Sequence, residues 1–168
     1  MFRLGNVMVT YLGFLAGRGY VSNHAERLGG LRPTLGVMTL AEAKAFLNGG
    51  VVGVDRLQLR EGAEPVSRGL LDGRLRYIER DPQEKWMSVK EIWLAGGGDC
   101  EDLASAIAAE LQLSGQKAGV DIIRQSGRVA HAITSLGRGR SIDPSVIGGM
   151  RSNRTTKTQE VEALRGLL

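Results

Sequence analysis

Residues 86–104 read WMSVKEIWLAGGGDCEDLA, two helix starts and a glycine triplet set around a single cysteine. Ser88 followed by Glu91 has the spacing of a capping box, in which hydroxyl and carboxylate each satisfy a free backbone N–H, so a short helix is expected over 89–95. Gly96-Gly97-Gly98 stops it. Asp99 can then cap a second helix beginning at Cys100. Leu103, Ala104, Ile107, Ala108 and Leu111 share a stripe with Cys100 at helical spacing, which puts the thiol on the first turn, toward the core. A helix start offers partial positive charge and free N–H donors, and both favour a thiolate.

Downstream, 117–124 and 128–136 read as two strands joined at Ser126-Gly127 in an antiparallel hairpin. A Gly137-Arg138-Gly139 turn leads to a short third strand ending at Ile142-Asp143-Pro144. Residues 151–159 are polar and basic, and the helix-like stretch 161–168 could dock on the domain or on a partner. Upstream, Pro65 opens an expected helix through about Arg80, which Asp81-Pro82 ends. Val51 to Leu59 alternates in part and reads as a strand. Thr39 and Glu42 form another capping-box pattern for a helix running to Leu47, where Asn48-Gly49-Gly50 stops it. Leu4, Val7, Met8, Tyr11, Leu12 and Leu15 fall on one side of a helix. Residues 16–38 read as an irregular connection, with His24 on its surface.

The composition suits one folded domain: 168 residues, 42% apolar and 24% charged. The formal charge of +4 comes from Lys and Arg scattered among acids, so nucleic acid is not an indicated partner. No apolar run approaches the roughly 20 residues of a membrane span. The apolar stretch from Arg3 to Arg18 is interrupted by Gly5, Asn6 and Gly13 and lacks a convincing signal-peptide cleavage site, which suggests a cytoplasmic or virion-associated protein. The single cysteine excludes an internal disulfide, and a lone Cys with a distant His is a candidate nucleophile.

An imidazole could take the thiol's proton, and a carboxylate behind it could fix its orientation. His131 within one strand and Asp143 at the end of the next can fill these roles. Spacing alone does not choose between such a site and a small buried cysteine. Gly98-Asp99-Cys100-Glu101-Asp102 after a tryptophan-bearing helix, with Ala130-His131-Ala132 and Ile142-Asp143-Pro144-Ser145, resembles the transglutaminase-like cysteine proteinases of bacteria and tailed bacteriophages over residues 77–150. The resemblance implies an α+β, papain-like core in which the nucleophile helix packs on a small antiparallel sheet. It divides the chain into an N-terminal helical and irregular extension (1–50), the cysteine-site domain (51–150) and a basic tail (151–168).

It further implies Cys100 as nucleophile, His131 as general base and acid, and Asp143 as orienting carboxylate, with the Cys100 N–H as an oxyanion donor. The substrate would be a protein or peptide amide, with water or an amine completing the transfer. Ile133 stands where relatives commonly carry an aromatic, and no second oxyanion donor is identifiable upstream. Calcium, bound by some relatives, would fall to Asp99, Glu101 and Asp102, but capping explains the two aspartates without it, and no metal or cofactor is expected. Trp86 and Trp93 are expected in the core. The alternative function is a structural virion protein, in a head–tail connector, capsid or tail assembly, using this fold as an interaction module toward neighbouring chains or further copies of itself.

Overall fold

In the computed structural model, which describes residues 40–79, 86–124 and 130–168, the helix that begins at Cys100 is the centre of the fold. In chain order the elements are α1 (Leu40–Phe46), a π-helical turn (Leu47–Val51), α2 (Val52–Arg60), α3 (Val66–Leu71) and β1 (Arg76–Tyr77). They continue as α4 (Val89–Ala95), β2 (Gly97–Gly98), α5 (Cys100–Leu113), β3 (Gly119–Arg124) and β4 (Ala130–Gly137). The chain closes with β5 (Arg140–Ile142), α6 (Pro144–Ile147) and α7 (Lys157–Arg165). The architecture is mixed helix and small sheets, an α+β arrangement.

Every residue of α5 from Asp102 to Leu111 is buried, as expected of a helix that is apolar nearly all round. Its large side chains, Leu103, Ile107 and Leu111, enter one core with Val66, Leu70, Ile92, Ile142 and Leu164. Its alanines, Ala104, Ala108 and Ala109, face a second core with Leu47, Val52, Val120 and Ala132. Small residues on that side let the sheet and α2 approach the helix backbone closely. The three-stranded antiparallel sheet runs β3-β4-β5, with Ile122 opposite Ala132 and Thr134 opposite Ile142.

Both expected caps around the cysteine are formed. Ser88 and Glu91 exchange hydrogen bonds at the start of α4, and Asp99 and Asp102 do the same at the start of α5. Gly96 ends α4 in the left-handed conformation at φ 74°, where a side chain would be strained. Gly97 serves a different need. β1 and β2 pair in parallel with Arg76 opposite Gly97, and a Cβ there would sit 2.0 Å from the Arg76 carbonyl oxygen.

Buried carboxylates from one element also cap the starts of others. Asp55 Oδ1 accepts from Val89 N at 2.9 Å, Asp102 Oδ1 from Met87 N at 2.6 Å, and Glu110 Oε1 from Val66 N and Ser67 N at 2.5 and 3.1 Å. The first N–H groups of a helix lack intrahelical partners, so these carboxyl oxygens tie α3 and α4 to α2 and α5.

Three sequence expectations are corrected. Residues 51–59 are not a strand: Val51 ends the π-helical turn and the rest belong to α2, in which Val52 and Asp55 share the buried face one turn apart while Gln58 Oε1 accepts from Lys90 N. Helical spacing of the buried positions outweighs the partial alternation of valines. Asn48-Gly49-Gly50 does not stop a helix, because the backbone continues through the π-helical turn, and Asn48 bonds the β3 edge through Val120 N and Val120 O. The helix opened by Pro65 ends at Leu71 rather than near Arg80; Gly73 at φ 78° turns the chain into β1.

The closing segment starts its helix earlier than 161, at Lys157, behind a Thr156–Gln159 capping box, and Leu164 is fully buried in the first core. Trp93 packs on that core and donates Nε1–H to Glu64 O at 2.6 Å, while Trp86 stacks 4.6 Å from Phe46 beside the second. The N-terminal amphipathic stretch, His24, Thr39, Asp81-Pro82 and the hairpin tip at Ser126-Gly127 lie outside the described residues. Among the described residues no helix is long and apolar enough to cross a membrane.

Candidate active site

Cys100 is the first residue of α5, so its N–H has no intrahelical acceptor. β4 runs beside this helix end. Ala132 and Thr134 belong to its α5 side, and Thr134 Oγ1 donates to Ala104 O at 3.0 Å. His131 alternates away from them along the strand and is 3% exposed. Its Nε2 lies 2.8 Å from Asp143 Oδ2. With the Asp143 carboxylate as acceptor, Nε2 is the donor of this bond and Nδ1 is the ring nitrogen left without it.

Asp143 follows directly from β5 and caps α6, with Oδ1 accepting from Ser145 N at 3.2 Å. Pro144 supplies the first helical position, where its missing N–H costs nothing. Asp143 therefore receives the imidazole on one oxygen and a backbone N–H on the other. Its own N–H donates to Glu160 Oε2 at 2.9 Å.

The thiol has a different neighbour. Cys100 Sγ donates to Glu101 Oε2 at 2.9 Å instead of to the imidazole. Burial pushes the Cys100 thiol far above its ordinary range, the Glu101 carboxylate pushes it further, and the Ala132 N–H directed at the sulfur opposes this only in part. This corrects the expectation of a thiolate at the helix start: desolvation and an adjoining carboxylate outweigh the helix's partial charge. Nearby, burial and then the neighbouring Cys100 and Asp99 push the Tyr77 phenol up to about 12.

Cys100 and His131 border one cleft, closed off by Leu47, Trp86, Glu101, Ile122 and Ala132, with ≈ 10 Å³ of space. That is about the minimum one water needs. A larger, open hollow of ≈ 450 Å³ lies at the other end of the sheet, lined by Gln112, Gln116, Lys117 and Ser135, away from these groups.

The structure thus joins His131 to Asp143 and sets Cys100 beside the same cleft without a thiol–imidazole bond. Asp99 and Asp102 are occupied as caps, and Glu101 takes the thiol, so the three acids considered for calcium are otherwise engaged. Among the described residues no group of three or more His, Cys, Asp or Glu is placed to hold a metal. Sequence reasoning missed Glu101 as the thiol's partner, the Ala132 N–H and Glu160. Glu101 adjoins the nucleophile and was visible; the other two come from segments joined only by folding. No protein-family model matches this chain, and no curated protein or solved structure matches it either.

Proposed function

We propose that this protein catalyses thiol-dependent acyl transfer as a transglutaminase-like, papain-like cysteine peptidase or amidase, with Cys100 as nucleophile, His131 as general base and acid, and Asp143 as its orienting partner. The observation that carries the reading is the buried His131–Asp143 hydrogen bond, which leaves Nδ1 unpledged to Asp143 beside the cleft that Cys100 borders. The thiol is neutral at rest, so the proton has to move during attack. Sγ leaves Glu101 by rotation about its Cα–Cβ bond and turns toward His131. As sulfur bonds the amide carbonyl carbon, its proton passes to Nδ1, and the Cys100 N–H faces the developing oxyanion. The leaving amine takes that proton as the C–N bond breaks, giving a thioester. Water, activated by the same ring, hydrolyses it and restores the thiol; an amine in its place gives cross-linking.

A second reading has its own support. A buried, protonated thiol bonded to Glu101 in a cleft of ≈ 10 Å³ also suits a structural protein of a phage virion, in which the fold serves as an interaction module. A p-nitrophenyl ester and a peptidyl vinyl sulfone separate the two. Acyl transfer requires a burst of one equivalent of nitrophenolate per chain, a label on Cys100 by mass spectrometry, and a rate at least about 100-fold lower in His131→Ala. Slow labelling at equal rates in both proteins would leave the structural reading.

A further inference from the structure

The Asp143 carboxylate is held on both oxygens, but what fixes the residue's backbone lies on another element. Its main-chain N–H donates to Glu160 Oε2 at 2.9 Å, and Glu160 is only 8% exposed. Glu160 sits on α7, within the segment 151–168 to which the sequence assigned no chemistry. That helix is a firm support. Thr156 and Gln159 cap its start, Leu164 is fully buried, and Gln116 Nε2 donates to Leu167 O at 2.5 Å. A carboxylate accepting a buried N–H makes a charge-assisted bond, and removing it strands that N–H without water.

We infer that Glu160 is a positioning residue for the His131–Asp143 pair, so that the C-terminal helix is part of the site. Asp143 leaves β5 at φ −109° and ψ 92°, and the bond to Glu160 holds its N–H while Pro144 constrains the following turn. The side chain then starts from a fixed backbone and presents Oδ2 to Nε2 and Oδ1 to Ser145 N. Burial pushes the Glu160 carboxyl up, and the Asp143 charge adds to this, while the Asp143 N–H and Thr155 pull it down; the two carboxylates sense each other directly. The catalytic consequence rests on the acyl-transfer reading above. The geometric consequence does not.

The test follows the ring N–H of His131 by NMR, assigned against a His24→Asn background because the chain has two histidines. In wild type a protected Nε2–H resonance of a single tautomer is expected. Glu160→Ala loses it to exchange and tautomer mixing, and slows His131-dependent acylation of Cys100 about tenfold, the worth of one charge-assisted hydrogen bond. Glu160→Gln, which keeps an acceptor for Asp143 N, restores the resonance and most of the rate. A folded Glu160→Ala protein with the resonance intact would overturn the inference. If Glu160→Ala does not fold, Glu160→Asp decides: one methylene shorter, it should lose the resonance, and retention refutes the role. If wild type shows no His131-dependent acylation while Glu160→Ala still loses the resonance, the enzyme reading fails and the positioning role stands.

Discussion

Replacing Glu101 by Gln tests the feature that sets the state of the nucleophile. The carboxylate oxygen lies 2.9 Å from Sγ, so forming a thiolate places two negative charges side by side. Two unit charges about 4 Å apart interact by about 4 kcal/mol at an effective dielectric near 20. Glu101 is half-buried, and solvent screening lowers this. If only about 1.4 kcal/mol survives, the thiol's pKa falls by about one unit and the thiolate fraction at fixed pH rises about tenfold. The assay is alkylation by iodoacetamide across pH 6 to 10, and the single cysteine makes the label specific for Cys100. The thiol stays mostly protonated over this range, so a charge effect raises the rate about tenfold at every pH in Glu101→Gln but not in Glu101→Asp, whereas an access effect raises it in both. An unchanged rate in Glu101→Gln, or an equal rise in Glu101→Asp, would refute the argument that this carboxylate keeps the thiol protonated.

Two further outcomes follow from the fold. Burial pushes Asp55 up to about 8, with Glu110 and Glu91 adding to it and the Val89 N–H opposing, so between about pH 4 and 8 the folded chain binds one proton more there than the unfolded chain. That contribution to stability is full below about pH 4 and is lost as pH rises through about 8, at about 1.4 kcal/mol per pH unit. Asp55→Asn mimics the protonated acid, since Oδ2 has no partner among the described residues, and urea unfolding at three pH values should show a slope shallower by that amount; an unchanged slope contradicts the assignment. Gly97→Ala puts a methyl 2.0 Å from the Arg76 carbonyl, and denaturant unfolding should register a loss of about 2 kcal/mol or more, with a change under about 0.5 kcal/mol counting against the β1–β2 pairing described here.

Much around the cysteine was legible because it is local. The Ser88–Glu91 capping box and the Asp99 cap depend on residues a few positions apart, and the glycine stop and the α5 stripe follow from helical period. The β3–β4–β5 order followed from short connections. The strand expected over 51–59 and the long reach expected of the Pro65 helix failed for one shared reason. Their periodicity is weak, and tertiary partners chose the outcome: Asp55 and Gln58 meet α4, and Gly73 turns the chain so that β1 can pair with β2.

Spacing along single elements was enough to put the thiol at the start of a buried helix, with an imidazole within one later strand and a carboxylate at the end of the next. What each group meets depends on how separate elements pack. His131 joins Asp143, Asp143 leans on Glu160 from a helix 17 residues on, and Cys100 turns to Glu101 with the Ala132 N–H at its sulfur. The physical reason is that ionisation is set by desolvation and by charges brought near in space. Neither quantity has a period along the chain.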